Sequence, residues 1–510
     1  MRTPAGNAAV EAAPQFHTQA SSTVAARLAG ALHREGVRRF GGVEHAFDRV
    51  EVADAGVDDP VDLLPPELES GTLPAELTDA VEKLSLAYAR RAIDDRAARK
   101  SGAADIFALV AGLRSDDCVV RLEKLGTEGH NLHPCGRTRL GWTMHDAMAH
   151  DLESPATTIG FVGVPVGDYV GDDLGERLGV AAPDGMRAVP VHGWQLGLVV
   201  DRYEELPMLP RLLAGSPTAA LRTLWVPELG EYLKLSLDIQ VTSTRRTISI
   251  ASTRNGPLMS GLLPDLIEDD RVLLLAEPAG GASTLGSGRD LSVIVRSAIG
   301  ELRPGELPVP GSALAAACPI TGERLIALLA ARSGLAPLDF VEEYARLLLP
   351  PVLRLSTRFG VGMEAHLQNC VMTFVEGRPS RLILRDLAGL RLHAGRLAAS
   401  GHDFALWPGS VVGTDDDEVL LSKVAYTAFQ AHLGEVILRL AEAGLDEAAA
   451  WTRVRLIVDE VFDDLGDSEH AKGDHAFLTA PTVPHKALVR MRLAGTGDLY
   501  VPVRNPLHAA

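Results

Sequence analysis

Cysteine, long apolar runs and positive charge are all scarce in this chain of 510 residues, and each scarcity excludes a class of protein. Cysteine occurs four times, at Cys118, Cys135, Cys318 and Cys370, with no C-x-x-C pair. Four scattered thiols exclude a disulfide scaffold and a Cys-built zinc site, and they fit a reducing cytoplasm. No uninterrupted apolar run reaches the roughly 18 residues that a membrane span needs, so none is expected. Lys and Arg number 49 against 67 Asp and Glu, a formal net charge of −18. Nucleic-acid binding over a broad face is therefore excluded, because a duplex demands a basic surface. Aromatic residues make up only 5%. Residues 1–20 carry one Arg and no apolar core, so they are not a secretory signal and read as a short disordered leader.

Apolar residues are plentiful at 46%, enough for large cores, and the length calls for two or three domains. Gly and Pro are spread along the chain, as in a folded protein. Residues 21–113 read as helical, with apolar residues at helical spacing from 78 to 113. Short strands begin near 154, at 159–164 and 188–191. The segment 233–242 alternates Leu, Leu, Leu, Ile and Val with Lys234, Ser236, Asp238, Gln240 and Thr242, the period-two pattern of a strand with one polar face. Residues 271–276 read as a further strand. The Gly-rich stretch 280–288 lacks the G-K-[ST] ending of a phosphate loop and reads as a mobile loop or hairpin tip. A helix over 338–359 should kink at Pro350-Pro351. A hairpin is expected with strands at 363–375 and 381–385, then a second long helix over 420–445.

Four polar constellations stand out. The first is Glu128-Gly129-His130-Asn131-Leu132-His133-Pro134, followed by Arg137 and Arg139. Gly129, Pro134 and Gly136 put it on a loop, which is either a surface turn or an anion site. The second is Thr242-Ser243-Thr244-Arg245-Arg246-Thr247. Hydroxyls and guanidiniums at a strand end can grip phosphate, or simply face water. The third is Glu364-Ala365-His366-Leu367-Gln368-Asn369, which on a strand projects Glu364, His366 and Gln368 from one face. The fourth is Arg385-Asp386 on the return strand, which would bring Asp386 towards Glu364. Two carboxylates beside a phosphate site suggest Mg²⁺, a hard cation that prefers oxygen ligands; a surface Arg–Asp pair explains Arg385-Asp386 equally well.

In the order E-G-H-x-x-H-P-x-x-R-x-R-x-G, T-S-x-x-R-T, G-x-G-x-E-A-H-x-Q-N and R-D-x-x-G, spread from Glu128 to Gly389, the chain resembles the aerobactin-synthetase-like (IucA/IucC) family of NRPS-independent siderophore synthetases. Residues 423–435 and 486–493 resemble it as well. The chain departs from the family pattern at Arg137 (usually Lys), Thr138 (Ser), Asn131 (Pro) and Thr244 (Ser), and it lacks an arginine near Ala317-Cys318.

The resemblance implies an α+β fold shaped as a cupped hand: a helical thumb (1–150), β-rich fingers (151–315) and a palm (316–510). It implies carboxylate attack on the α-phosphate of ATP, then displacement of AMP by an amine or alcohol. His133, Arg246 and His366 are the implied catalytic residues. Ser243, Thr244, Arg246, Thr247, Arg254, Gln368 and Asn369 would hold ATP. His133, Arg137, Arg139, Tyr426 and Lys486 would face the acid substrate, and Glu364 and Asp386 would hold Mg²⁺. A cytoplasmic enzyme and candidate homodimer, acting on a carboxylic acid such as citrate and an amine or alcohol, is the expectation. A ligase working through an acyl phosphate, and a non-catalytic ligand-binding relative, are the alternatives. The retained Glu364, His366 and Asp386 speak against the second.

Overall fold

The computed structural model describes residues 4–69, 71–241, 244–494 and 499–508. Helix α1 (His17–Arg34) buries Ala20, Val24, Leu28 and Leu32, one side of a 3.6-residue repeat, and ends with His33 and Arg34 at its negative pole. Helix α2 (Leu73–Lys100) packs Leu77, Ala80, Val81 and Leu84 against it. The start of the chain is helical as well, correcting the expected leader. The Ala-rich helix Pro4–Ala12 lies against α2, where small side chains permit close approach.

The middle of the chain forms an eight-stranded antiparallel sheet. Its order is Tyr169–Gly171, Ala279–Ser283, Ser292–Ser297, Glu231–Leu235, Thr223–Val226, Met208–Pro217, Thr157–Pro165 and Met186–His192. The Gly-rich stretch, expected to be a mobile loop or hairpin tip, supplies both the second strand, up to Ser283, and the tip that joins it to the antiparallel third. Gly280 lies so close to the Thr253 carbonyl of helix α3 (Ile250–Leu266) that a Cβ has no room, so glycine there reflects packing. The strand expected over 233–242 breaks at Ser236. Its amide joins Ser292 of the large sheet and its hydroxyl joins Arg289 and Ile248, while Leu237–Val241 turns away to pair with Thr244–Arg246.

A second, four-stranded sheet has the order Val272–Leu274, Arg378–Leu384, Cys370–Val375, Glu306–Pro310. Helix α4 (Pro337–Phe359) covers it, starting at Pro337 and closing on the left-handed Gly360. It runs on through Pro350 and Pro351. The helix expected over 420–445 is one helical run with a π-helical centre: Asp417–Val424, then the π-helix Ala425–Leu433, then Gly434–Ala441.

The largest core draws on the second sheet, α4, Glu447–Leu465 and, from the first third of the chain, Ile106, Phe107, Cys118 and Leu122. The N-terminal core is completed by Cys135 and by Val489 from near the other end. All four cysteines are buried and free. No helix among the described residues is long and apolar enough to cross a membrane.

Candidate active site

The first motif is a loop pinned at both ends. Glu128 is clamped by Arg27 of α1 (2.5 Å) and by the Tyr88 hydroxyl of α2 (2.9 Å). His130 Nδ1 accepts the Leu132 amide (3.1 Å) and His133 Nδ1 accepts the Cys135 amide (2.9 Å). In the neutral rings these bonds place the proton on Nε2. Burial, with Lys486 and then Arg246 beside it, holds the His133 pKa down to about 3. His133 is thus a neutral donor rather than a base, and its buried Nε2–H has no partner among the described residues.

Arg137 and Arg139, expected to face the acid, are committed elsewhere. They form a buried quartet with Asp151 and Glu153: Arg137 to Glu153 at 2.5 Å, Arg137 to Asp151 at 3.3 Å and Arg139 to Asp151 at 2.7 Å. Charges balance there, although Arg137 Nε and Nη1 and Glu153 Oε2 lack hydrogen-bond partners. The motif turned inward because the acidic partners, 12 to 16 residues downstream, are reached only through the fold.

Of the second motif, Ser243 lies outside the described residues. Thr244 pairs in the short hairpin with Val241, and the carbonyls of Arg246 and Thr247 each accept from Arg222 at 2.9 Å. Burial, with Arg222 and Arg139 nearby, lowers Arg246 to about 10. Glu364 and Asp386 are the carboxylates acting on it. Arg254 stands apart from this group: it meets Asp172 at 3.2 Å and lies over the Trp407 ring at 5.7 Å.

The E-A-H-x-Q-N segment is a turn, not the strand expected: pairing starts only at Cys370. Asn369 folds the turn by donating to the Glu364 carbonyl (3.1 Å), and Arg385 binds the Gln368 carbonyl (2.7 Å). The π-helix supplies the remaining brace. His432 Nδ1 reaches the Ala365 carbonyl (2.9 Å) and its Nε2 meets the Tyr344 hydroxyl (2.6 Å). His366 and Glu364 are thereby brought to 3.9 Å.

Asp386 follows its strand rather than lying on it, with φ of 72°, a strained conformation for a non-glycine residue. Lys234 (2.6 Å) and Arg296 (3.3 Å) hold it there. Burial works against its charge, but these cations keep its carboxyl well below the usual range. Glu364 is likewise held ionised against burial, chiefly by Lys423 at 2.5 Å and by His366. Gly389, the glycine of R-D-x-x-G, passes so near Glu364 that a Cβ would strike its carboxylate. Lys486 ends the strand Thr482–Lys486. Tyr426, on the π-helix, is buried with its hydroxyl unpartnered and its ring edge-on to His485 at 5.4 Å.

The structure therefore draws His133, Arg246, His366, Glu364, Asp386 and Lys486 into one electrostatic neighbourhood, each acting on at least one other. Lys234, Arg222, Arg296 and Glu277 belong to it and were not singled out from the sequence. Lys234 is buried although it occupies a polar position of an alternating strand, the pattern that reads as solvent-facing.

Glu364 and Asp386 are the candidate magnesium ligands. Among the described residues no group of three or more His, Cys, Asp or Glu could hold a metal. Two ionised carboxylates in one neighbourhood do suit Mg²⁺, which takes one or two protein carboxylates and completes its shell with phosphates and water.

A model described as the IucA / IucC family matches residues 166–316, and one described as "Ferric iron reductase FhuF-like transporter" matches residues 338–501. The chain is 25% identical over 557 residues to a D-ornithine–citrate ligase of Staphylococcus aureus, covering 91% of this chain and 84% of that one. It superposes on the petrobactin biosynthesis protein AsbB of Bacillus anthracis with a TM-score of 0.81 at 19% identity, over 100% of this chain and 98% of that. Against ATP-bound aerobactin synthetase IucA of Klebsiella pneumoniae the TM-score is 0.67 at 20% identity, covering 88% and 85%.

Proposed function

We propose that the chain is a member of the IucA/IucC family of NRPS-independent siderophore synthetases, an ATP-dependent ligase that adenylates citrate or a related carboxylic acid and joins it to an amine or alcohol. The observation that carries this reading is the convergence of Arg222, Lys234, Arg246 and Arg296 on Asp386, with Glu364 alongside, in a protein of net charge −18. Two anions, a carboxylate and a triphosphate, must meet for the reaction, and their repulsion opposes it. Clustered cations in a buried setting offset that repulsion.

Arg246, with Thr244, Thr247 and Ser243, grips the phosphates, and Lys234, Arg222 and Arg296 add to the field. Glu364 and Asp386 would hold Mg²⁺, whose chemistry is to neutralise phosphate charge. His133 donates its Nε2–H to an oxygen of the acid. His366 and Gln368 face nucleotide or acyl group, and Asn369 shapes their turn. Lys486 and Tyr426 hold a carboxylate that does not react. An oxygen of the reacting carboxylate bonds to the α-phosphorus as pyrophosphate leaves. The amine nitrogen or alcohol oxygen then bonds to the acyl carbon, loses a proton to solvent, and AMP departs. Positioning and charge stabilisation suffice, since ATP supplies the leaving group. We place the enzyme in the cytoplasm, where its four free thiols stay reduced.

Incubation with ATP, Mg²⁺, citrate and an amine is expected to release AMP and pyrophosphate. Accumulation of ADP and phosphate would replace adenylation with an acyl-phosphate route.

A further inference from the structure

Arg34 is the last residue of α1 and belongs to none of the motifs. Its guanidinium makes no ion pair with any described carboxylate. The acidic groups around it are taken: Glu35 accepts the amides of Val489 (2.8 Å) and Arg490 (2.7 Å), Asp48 accepts the Arg504 amide (2.8 Å), and Glu435 is shared by Arg49 (2.5 Å) and Arg439 (2.7 Å). Behind Arg34 lies a small cavity whose one carboxylate, Glu447, is held by His45 (2.8 Å) and the Ala46 amide (2.9 Å).

What Arg34 does touch is a directed chain. Its Nη1 lies 3.4 Å from His485 Nε2, His485 Nδ1 lies 2.6 Å from Gln430 Oε1, and Gln430 Nε2 donates to the Pro484 carbonyl at 2.8 Å. With His485 neutral, every donor in that chain finds an acceptor, which leaves the rest of the guanidinium for another group. Arg34 Nε is buried without a partner, and so is the hydroxyl of Tyr426, whose side chain is 6% exposed. Arg34 is the leading charge acting on that hydroxyl, and Glu364 acts on it too. His485 in turn lies within the field of His130, and His130 within that of His133, His366 and Lys486. Leu132, next to His133, lines the cavity with Arg34 and packs with Tyr426, so the cation adjoins the site described above. Glu35 and Asp48 act on Arg34 from positions where their oxygens are bonded elsewhere, so its donors remain to be used, and a planar fork of donors suits a carboxylate.

We propose that Arg34 and Tyr426 form a subsite for a substrate carboxylate that does not react, so that a helix at the N-terminal end of the chain sets substrate choice. The proposal rests on the ligase reading. The carboxylate belongs either to the acid or to an amino-acid nucleophile.

The test uses the full-length protein, Arg34→Gln and Tyr426→Phe. Citrate is the acid, and the amines are ornithine and 1,4-diaminobutane, which is ornithine without its carboxylate. Wild-type AMP release, measured first, decides the ligase reading by itself. Calorimetric titration with citrate and with ornithine, without turnover, reads the subsite independently of it. Arg34→Gln is expected to weaken the carboxylate ligand about 10- to 100-fold, the effect of losing hydrogen bonds to a charged group, with the KM for ATP little changed. Tyr426→Phe moves the same way by less. Loss with citrate, equal for both amines, assigns the acid. Loss with ornithine that disappears with diaminobutane assigns the nucleophile. Unchanged citrate and ornithine binding in Arg34→Gln, a matching loss of ATP affinity, or no binding of either ligand by the wild type overturns the proposal. Should Arg34→Gln fail to fold, Tyr426→Phe, which removes one oxygen, decides it by the same readings.

Discussion

Two clusters of buried cations behave in opposite ways. In the quartet of Arg137, Arg139, Asp151 and Glu153, two cations meet two carboxylates, and their side chains are at most 5% exposed. Around Asp386, the cations Lys234, Arg222, Arg246 and Arg296 gather, with Glu277 and Glu364 as further carboxylates acting on them. The first group neutralises itself and fixes a loop. The second concentrates cations around one strained carboxylate, which is why the triphosphate is proposed to bind there. Two guanidiniums in a motif therefore say little until their counter-ions are located.

The largest contrast comes from paired substitutions. Arg137→Ala strands the buried carboxylate of Glu153, while Asp151 keeps Arg139, and should cost about 3–5 kcal/mol of stability, seen in denaturant titration. Arg246→Ala should leave the melting temperature near wild type while slowing turnover by roughly 30- to 1000-fold, about 2–4 kcal/mol of transition-state stabilisation. The comparison collapses if Arg246→Ala unfolds the protein and Arg137→Ala merely slows it. Glu364→Gln sharpens the open side: the Mg²⁺ concentration for half-maximal rate should rise about tenfold, roughly 1.4 kcal/mol, and an unchanged Mg²⁺ dependence would make the carboxylate structural.

The smallest effect lies outside both clusters, where acid is the probe. Burial depresses His192 to about 3 and His150 to about 4; in His150, Asp146 partly opposes it. The unfolded chain binds the extra protons below about pH 6.5, so stability is full above that pH and falls as the pH drops towards these folded values. Each such histidine should contribute about half a kcal/mol of loss between pH 7 and 6. In His192→Phe the fall of melting temperature over that interval should be shallower; an identical slope would show that His192 does not take part.

Much of this was readable in the residues, for identifiable reasons. The strands at 159–164 and 188–191 carry near-continuous apolar runs, and the structure extends them to Thr157–Pro165 and Met186–His192. The hairpin Cys370–Val375 with Arg378–Leu384 follows from the Glu376-Gly377 turn. The E-A-H-x-Q-N segment was misread because alternation of polar and apolar residues also suits a turn that buries Ala365 and Leu367 while Asn369 closes it. The π-helix was invisible because Ala425–Leu433 has ordinary helical composition, and its wider turn is set by contacts with Ala365 and Pro484. Lys234, Arg222 and Arg34 escaped because a cation's place is decided by the distant carboxylates it does or does not meet.

The N-terminal core has a consequence for how the chain is made. Val489 sits in it without exposure, and Glu35 at the end of α1 binds the amides of Val489 and Arg490. A ribosome has released more than 400 residues after Glu35 before those partners exist. The helices around Glu35 must therefore wait, with an unfilled apolar socket, while the intervening segments collapse. Val489 is then the latch that closes this core late. Nascent chains stalled short of it should be the species that chaperones hold, since exposed apolar surface is what they bind.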